Sequence, residues 1–170
     1  QLAKAMKQRA ESRMDISTDS ILTDVEQMEE LLTSPAVTTG DDAPARQAIL
    51  HSLLASVYQA IDNSRLALYD EEQQARCKER IKTHTEAALS DMETLSKTDA
   101  SPYKELYTEG DDSRLYDNDV LSLLLDFIES NGLLYQEKGD TNERMKDLVD
   151  KANSIYRQQG RHPDRILRQA

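Results

Sequence analysis

Residues 44–61, PARQAILHSLLASVYQAI, carry apolar side chains at Ile49, Leu50, Leu53, Leu54, Val57 and Ile61. Spacing by threes and fours over this length is the signature of an α-helix, and the width of the stripe predicts a helix set in the middle of a bundle. Pro44 stands where the first helical residue is expected, since its missing N–H costs nothing there. The loop before it, TSPAVTTGDD, separates it from a second periodic segment that starts near Thr18 and carries Ile21, Leu22, Val25, Met28, Leu31 and Leu32 on one face.

The same period continues outward. Residues 2–14 read as a short first helix, and residues 71–95 as a longer, polar one with a thin seam of Cys77, Ile81, His84, Ala88, Met92 and Leu95. DNSRLALYD, before it, reads as a bend. Residues 98–116 are irregular, with a turn of helix at YKELY. Two further helices, over about 117–138 and 141–159, are joined by KGDT. Breakers fall between these segments, at Pro35, Gly40, Pro44, Pro102, Gly110, Gly139, Gly160 and Pro163. The prediction is an all-α fold, an irregular antiparallel array of about six or seven helices.

Composition agrees. Only 5 glycines and 4 prolines occur in 170 residues, and aromatic residues make up 5%. With 38% hydrophobic residues in periodic order, the chain can bury a core despite 31% charged residues. The length suits a single helical domain over residues 1–170. A helix that begins at once from Gln1, and DRILRQA at the other end, suggest a piece of a longer protein.

The net charge of −11 repels phosphate backbones and anionic lipid, which argues against nucleic acid as a partner. No apolar run approaches the length of a membrane span. One cysteine, Cys77, excludes an internal disulfide framework and any multi-cysteine zinc site.

Chemistry is sought first in residues 111–128, DDSRLYDNDVLSLLLDFI. An EF-hand loop needs a glycine at its sharp turn and a closing glutamate, and neither is present. Asp117, Asn118 and Asp119 instead stand where capping side chains meet the free N–H groups of a helix start. Asp119 with Asp126 as an acid pair fails on reach, because seven helical residues separate them by roughly 10 Å along the axis. The same distance parts Cys77 from His84, so seam packing is the better reading than a nucleophile and base.

His51 and His162 lack companions at zinc-helix spacing. A pocket of converging polar groups, as a ligand-sensing bundle would need, is hinted at only by His84 and Tyr58. Arg157, Arg161, Arg165 and Arg168 concentrate positive charge near the end of the chain. Complementing a helix C-terminus and pairing within the domain account for them better than a docking patch. No residue is assigned a catalytic, cofactor-binding or metal-binding role.

IESNGLLYQEKGDT, residues 128–141, sets Ile128, Gly132 and Tyr135 at tetratricopeptide spacing, with Gly132 predicted to let a neighbouring helix approach and the Tyr135 ring to fill the space beside it. Asn131 departs from the leucine usual there, and no regular repeat follows. ILHSLLASVYQAI, RIKTHTEAALSD, YKELYTEGDDSRLYDNDVLSLL and LLYQEKGD, in this order, resemble the helical N-terminal region of bacterial alpha-2-macroglobulin-like secreted proteins over residues 45–160.

The thioester motif of that family is absent, since Cys77 lies in ARCKER. The resemblance implies a noncatalytic accessory module, located in the periplasm or cell envelope and partnered by other domains of its polypeptide or by another protein. The alternative is the ligand-sensing extracytoplasmic bundle of a bacterial receptor.

Overall fold

The computed structural model describes residues 18–63, 71–107, 118–134 and 141–161. Among them the helices are α1 (Thr18–Glu30), α2 (Pro35–Thr38), α3 (Ala43–Asp62), α4 (Glu71–Ala88), α5 (Met92–Lys97), α6 (Val120–Ser130) and α7 (Thr141–Gln158), with 3-10 turns at Leu31–Thr33 and Ser101–Leu106. The class is all-α. The one strand-like feature among the described residues is a single bridge between Asp99 and Asp119.

Expected features at 1–17, 64–70, 108–117, 135–140 and 162–170 lie outside the described residues. These include the first short helix, the DNSRLALYD bend, Tyr135 and the KGDT turn, along with His162, Arg165 and Arg168. The contacts gather into two compact units, Gln1–Ala88 and Leu89–Ala170.

In the first unit α3 is the central element, as its stripe predicts. Leu54, Val57, Tyr58, Ala60 and Ile61 of α3 join Leu22, Val25 and Met28 of α1 and Cys77 and Ile81 of α4 in one buried cluster. Two serines are also buried on α3, Ser52 and Ser56. They can be, because each hydroxyl donates to a carbonyl of its own helix, Ile49 O at 2.8 Å and Leu53 O at 2.7 Å. Pro44 sits one residue later than expected, because Ala43 is the first helical residue and Asp42 the cap.

The segment expected as one helix over 71–95 is two. α4 stops at Ala88 and α5 starts after Asp91, whose carboxylate accepts from Thr94 N at 3.1 Å. Here capping chemistry outweighs the continuing seam period. The seam prediction itself holds for burial: Cys77, Ile81, His84, Ala88, Met92 and Leu95 are all buried.

In the second unit α6 is the apolar element, with Val120, Leu121, Leu124, Leu125 and Ile128 buried. α5 and α7 both pack against it, with Met92, Leu95, Met145, Val149, Ala152 and Tyr156 buried on their faces. Tyr107 meets Phe127 edge to face, ring centroids 4.6 Å apart.

α6 is shorter than expected and ends at Ser130, where a helix over 117–138 is predicted. Gly132 causes the stop. Its φ of +61° is left-handed, Gly132 N donates to Glu129 O at 3.1 Å and Leu133 N to Ile128 O at 3.0 Å, the paired bonds of a Schellman ending. This corrects the tetratricopeptide reading of Gly132 as a helix-interior glycine that admits a neighbour, because a Cβ placed there would meet nothing within 4 Å. The cost of Gly132→Ala is therefore backbone strain rather than overpacking. We expect about 1 kcal/mol, with Gly132→Asn costing less, read from urea unfolding.

Candidate functional site

The first unit gathers ionisable side chains from three helices at one place. Glu29 comes from α1, His51 and Tyr58 from α3, and Arg80 and His84 from α4. On α3, His51 and Tyr58 are seven residues apart, two turns, and so share a face. Glu29 lies four residues beyond Val25 on the buried side of α1.

The Glu29 Oε1 atom is the hub. It accepts from Tyr58 OH at 2.8 Å and lies 2.9 Å from His84 Nε2, with Arg80 Nε at 3.8 Å. His84 Nδ1 then meets His51 Nδ1 at 2.9 Å. The Tyr58 ring stacks on the His84 ring, centroids 5.8 Å apart and planes 16° off parallel. One turn before Arg80, Arg76 pairs with Glu26 of α1 and so bridges the two helices.

Burial works to raise the pKa of Glu29. The hydrogen bonds from His84 and Tyr58, together with the Arg80 charge, outweigh it and hold the carboxyl below its ordinary value. Both imidazoles are pushed down, His51 to about 4, chiefly by burial and then by the charge His84 would carry. For His84 burial again leads, opposed by Glu29. Burial and the bond to Glu29 raise the Tyr58 phenol.

The second unit holds a tighter network around Asp119, which is only 4% exposed. As expected it caps a helix: its Oδ1 accepts from Ser122 N of α6 at 2.9 Å. It also accepts from Tyr156 OH of α7 at 2.7 Å, from Ser122 Oγ at 3.2 Å and from Arg161 Nη2 at 2.8 Å. Arg161 reaches it because Gly160, at φ +71°, ends α7 in a second Schellman turn, with Arg161 N donating to Tyr156 O at 2.9 Å. The guanidinium carbon then lies 4.6 Å from the centre of the Tyr156 ring.

Asn118 bonds to Ser101 Oγ at 2.7 Å and so ties the 3-10 turn to the start of α6 rather than capping it. Asp117 lies outside the described residues.

His84 and Tyr58, the two residues that hint at converging polar groups, are brought together. Glu29 and His51 complete the cluster, and of these two the sequence draws attention only to His51. The signal for Glu29 is a carboxylate three residues before Leu32 and four after Val25, inside an apolar stripe. The zinc-helix spacing looks for partners of His51 within its own helix, whereas its neighbour, His84, comes from α4. Cys77 belongs to the apolar cluster, while His84 faces Glu29 and His51. Arg161 pairs inside its unit, and Arg157 stands in the last turn of α7, where it complements the dipole.

Among the described residues no three His, Cys, Asp or Glu side chains are placed to hold a metal ion, and no helix is long and apolar enough to cross a membrane. No protein-family model, no curated protein and no solved structure matches the chain.

Proposed function

We propose that the chain is a noncatalytic helical scaffold or protein-interaction module. One observation carries this reading: the buried carboxylate of Asp119 and the half-buried one of Glu29 are both engaged in joining helices. Asp119 takes donors from α6, from α7 and from the turn after α7, and Glu29 takes them from α3 and α4. A carboxylate held by so many donors fixes helices rather than moving protons to a substrate.

Cys77 supports the same reading. It is fully buried, and burial, with the charge of Asp62, pushes its thiol up to about 11, the environment of an inert cysteine.

The resemblance of four stretches to the N-terminal region of bacterial alpha-2-macroglobulin-like proteins extends the proposal. The module would then be an accessory domain of a secreted, proteinase-handling protein, docking to other domains of that polypeptide or to another protein. The second reading, a ligand-sensing extracytoplasmic bundle, draws on the convergence of Glu29, His51, Tyr58 and His84.

The test is to assay the chain against a panel of proteinases while following a thiol reagent. We expect no inhibition, and modification of Cys77 about a hundredfold slower in the native state than in denaturant, since the thiol reacts only when the α1, α3 and α4 core opens. Inhibition by the chain that disappears in Cys77→Ser would overturn the scaffold reading. A melting temperature that rises with a small polar ligand, and no longer does so in His84→Gln, would favour the sensor.

A further inference from the structure

Asn131 and Gly132 form the one Asn-Gly pair in a chain whose other asparagines are Asn63, Asn118, Asn142 and Asn153. Such a pair carries its own reaction, because the backbone nitrogen after an asparagine can attack that asparagine's side-chain amide. Glycine offers the least hindered nitrogen for this, having no side chain beside it. The attack joins Gly132 N to Asn131 Cγ and breaks the Cγ–Nδ2 bond, and ammonia leaves with the proton that Gly132 N gives up. Water then opens the cyclic imide. Addition at Cγ gives aspartate at 131, whereas addition at the backbone carbonyl carbon gives isoaspartate, with the chain rerouted through Cβ and Cγ. Water is the only co-reactant.

The ending of α6 holds this pair in a geometry that cannot cyclise. Asn131 caps the helix at φ −98° and ψ 0°. At that ψ Gly132 N eclipses Asn131 N, which at a tetrahedral carbon leaves it about a third of a turn away from Cβ and out of reach of Cγ. Both reacting groups are also engaged: Gly132 N donates to Glu129 O at 3.1 Å, and Asn131 Nδ2 to Phe127 O at 2.8 Å. Leu133 N on Ile128 O at 3.0 Å closes the turn, and Leu133 and Leu134 are buried behind it. Burial is not the barrier. Asn131 and Gly132 are both partly exposed, and a Cβ at 132 would meet nothing within 4 Å, so conformation stands in the way.

We propose that Asn131 is a self-modification site, a deamidation centre that the Schellman ending of α6 keeps closed and that each opening of that ending exposes. The product does not close again as before. Aspartate at 131 puts a negative charge at the C-terminal end of a helix, where the dipole opposes it, and sets a carboxylate against Phe127 O in place of an N–H donor. Isoaspartate goes further, because an added backbone atom displaces the left-handed Gly132 on which the turn depends. Modification therefore loosens the segment whose opening permits it, and the chain accumulates an irreversible record of openings at the end of α6.

The experiment is a time course of the whole 170-residue chain at mildly alkaline pH, folded in buffer and unfolded in guanidinium chloride, with each amide-to-acid conversion placed by peptide mass spectrometry. In denaturant Asn131 should convert before the other asparagines, and Gly132→Ala should bring it down to their rate. In buffer its conversion should slow by at least about tenfold, and by no less than the protection factor of the Gly132 amide in hydrogen exchange, since the same opening must free that N–H. Asn131→Asp supplies one product directly, and exchange of the Leu133 amide should rise severalfold in it. Equal conversion of Asn131 in buffer and in denaturant would overturn the closed site. A rate in denaturant no greater than that of the other asparagines would overturn the site itself, and unchanged Leu133 exchange in Asn131→Asp would overturn the loosening.

Discussion

Asp119→Ala is expected to lower the stability of the second unit by about 3–5 kcal/mol, the scale for stranding one partner of a buried charged pair. The side chain of Asp119 is 5% exposed and that of Arg161 28%, so removal of the carboxylate takes the one charged partner shown for a part-buried guanidinium and leaves it the oxygens of Ser96 and Gln159. The same change removes the cap of α6, which alone costs about 1 kcal/mol, and leaves the Tyr156 hydroxyl to Ser122. Urea unfolding followed by circular dichroism measures the loss. Tyr156→Phe removes one donor and leaves the rest of the network, so its cost should be nearer 1 kcal/mol. Similar costs for the two variants would show that Asp119 is not the hub.

Leu54→Ala should cost about 2–5 kcal/mol in the first unit, from lost transfer energy and the cavity left behind. Leu54 is fully buried on the central helix α3, in the cluster that α1 and α4 share. Leu31 provides the contrast, as the large hydrophobic side chain that stands exposed among the described residues, at 43%. Leu31→Ala should change the unfolding free energy by less than about 0.5 kcal/mol. A comparable loss at Leu31 would mean that the 3-10 turn after α1 lies closer to the core than its exposure shows.

The apolar stripes were legible because a period of 3.6 leaves its mark on every turn. α3 can be placed from its leucines, isoleucines and Val57 alone, and the buried face of α4 from the spacing of Cys77, Ile81, His84 and Ala88. Helix ends were harder, since they are set by single residues. Asp91 cuts a seam that otherwise continues to Leu95, and Gly132 ends α6 with a left-handed turn inside a stretch rich in leucine. Asp119 could be read as a cap because capping acts three residues away along the chain. Its bonds to Tyr156 and Arg161 could not, since those partners lie 37 and 42 residues distant.

The same limit hides the Glu29 cluster. His84 meets a carboxylate 55 residues before it and a histidine 33 residues before it, and only the packing of three helices brings them together.

The proposed scaffold role requires that these polar clusters join helices and carry no reaction. Its most direct measurement is turnover by the purified chain of ester, peptide and phosphoester substrates at pH 7, alongside His84→Gln, which removes the one residue linking Glu29 to His51. Rates equal to buffer are expected for both proteins, with His84→Gln differing from the wild type in melting temperature alone. Turnover by the wild-type chain that is lost in His84→Gln would contradict it.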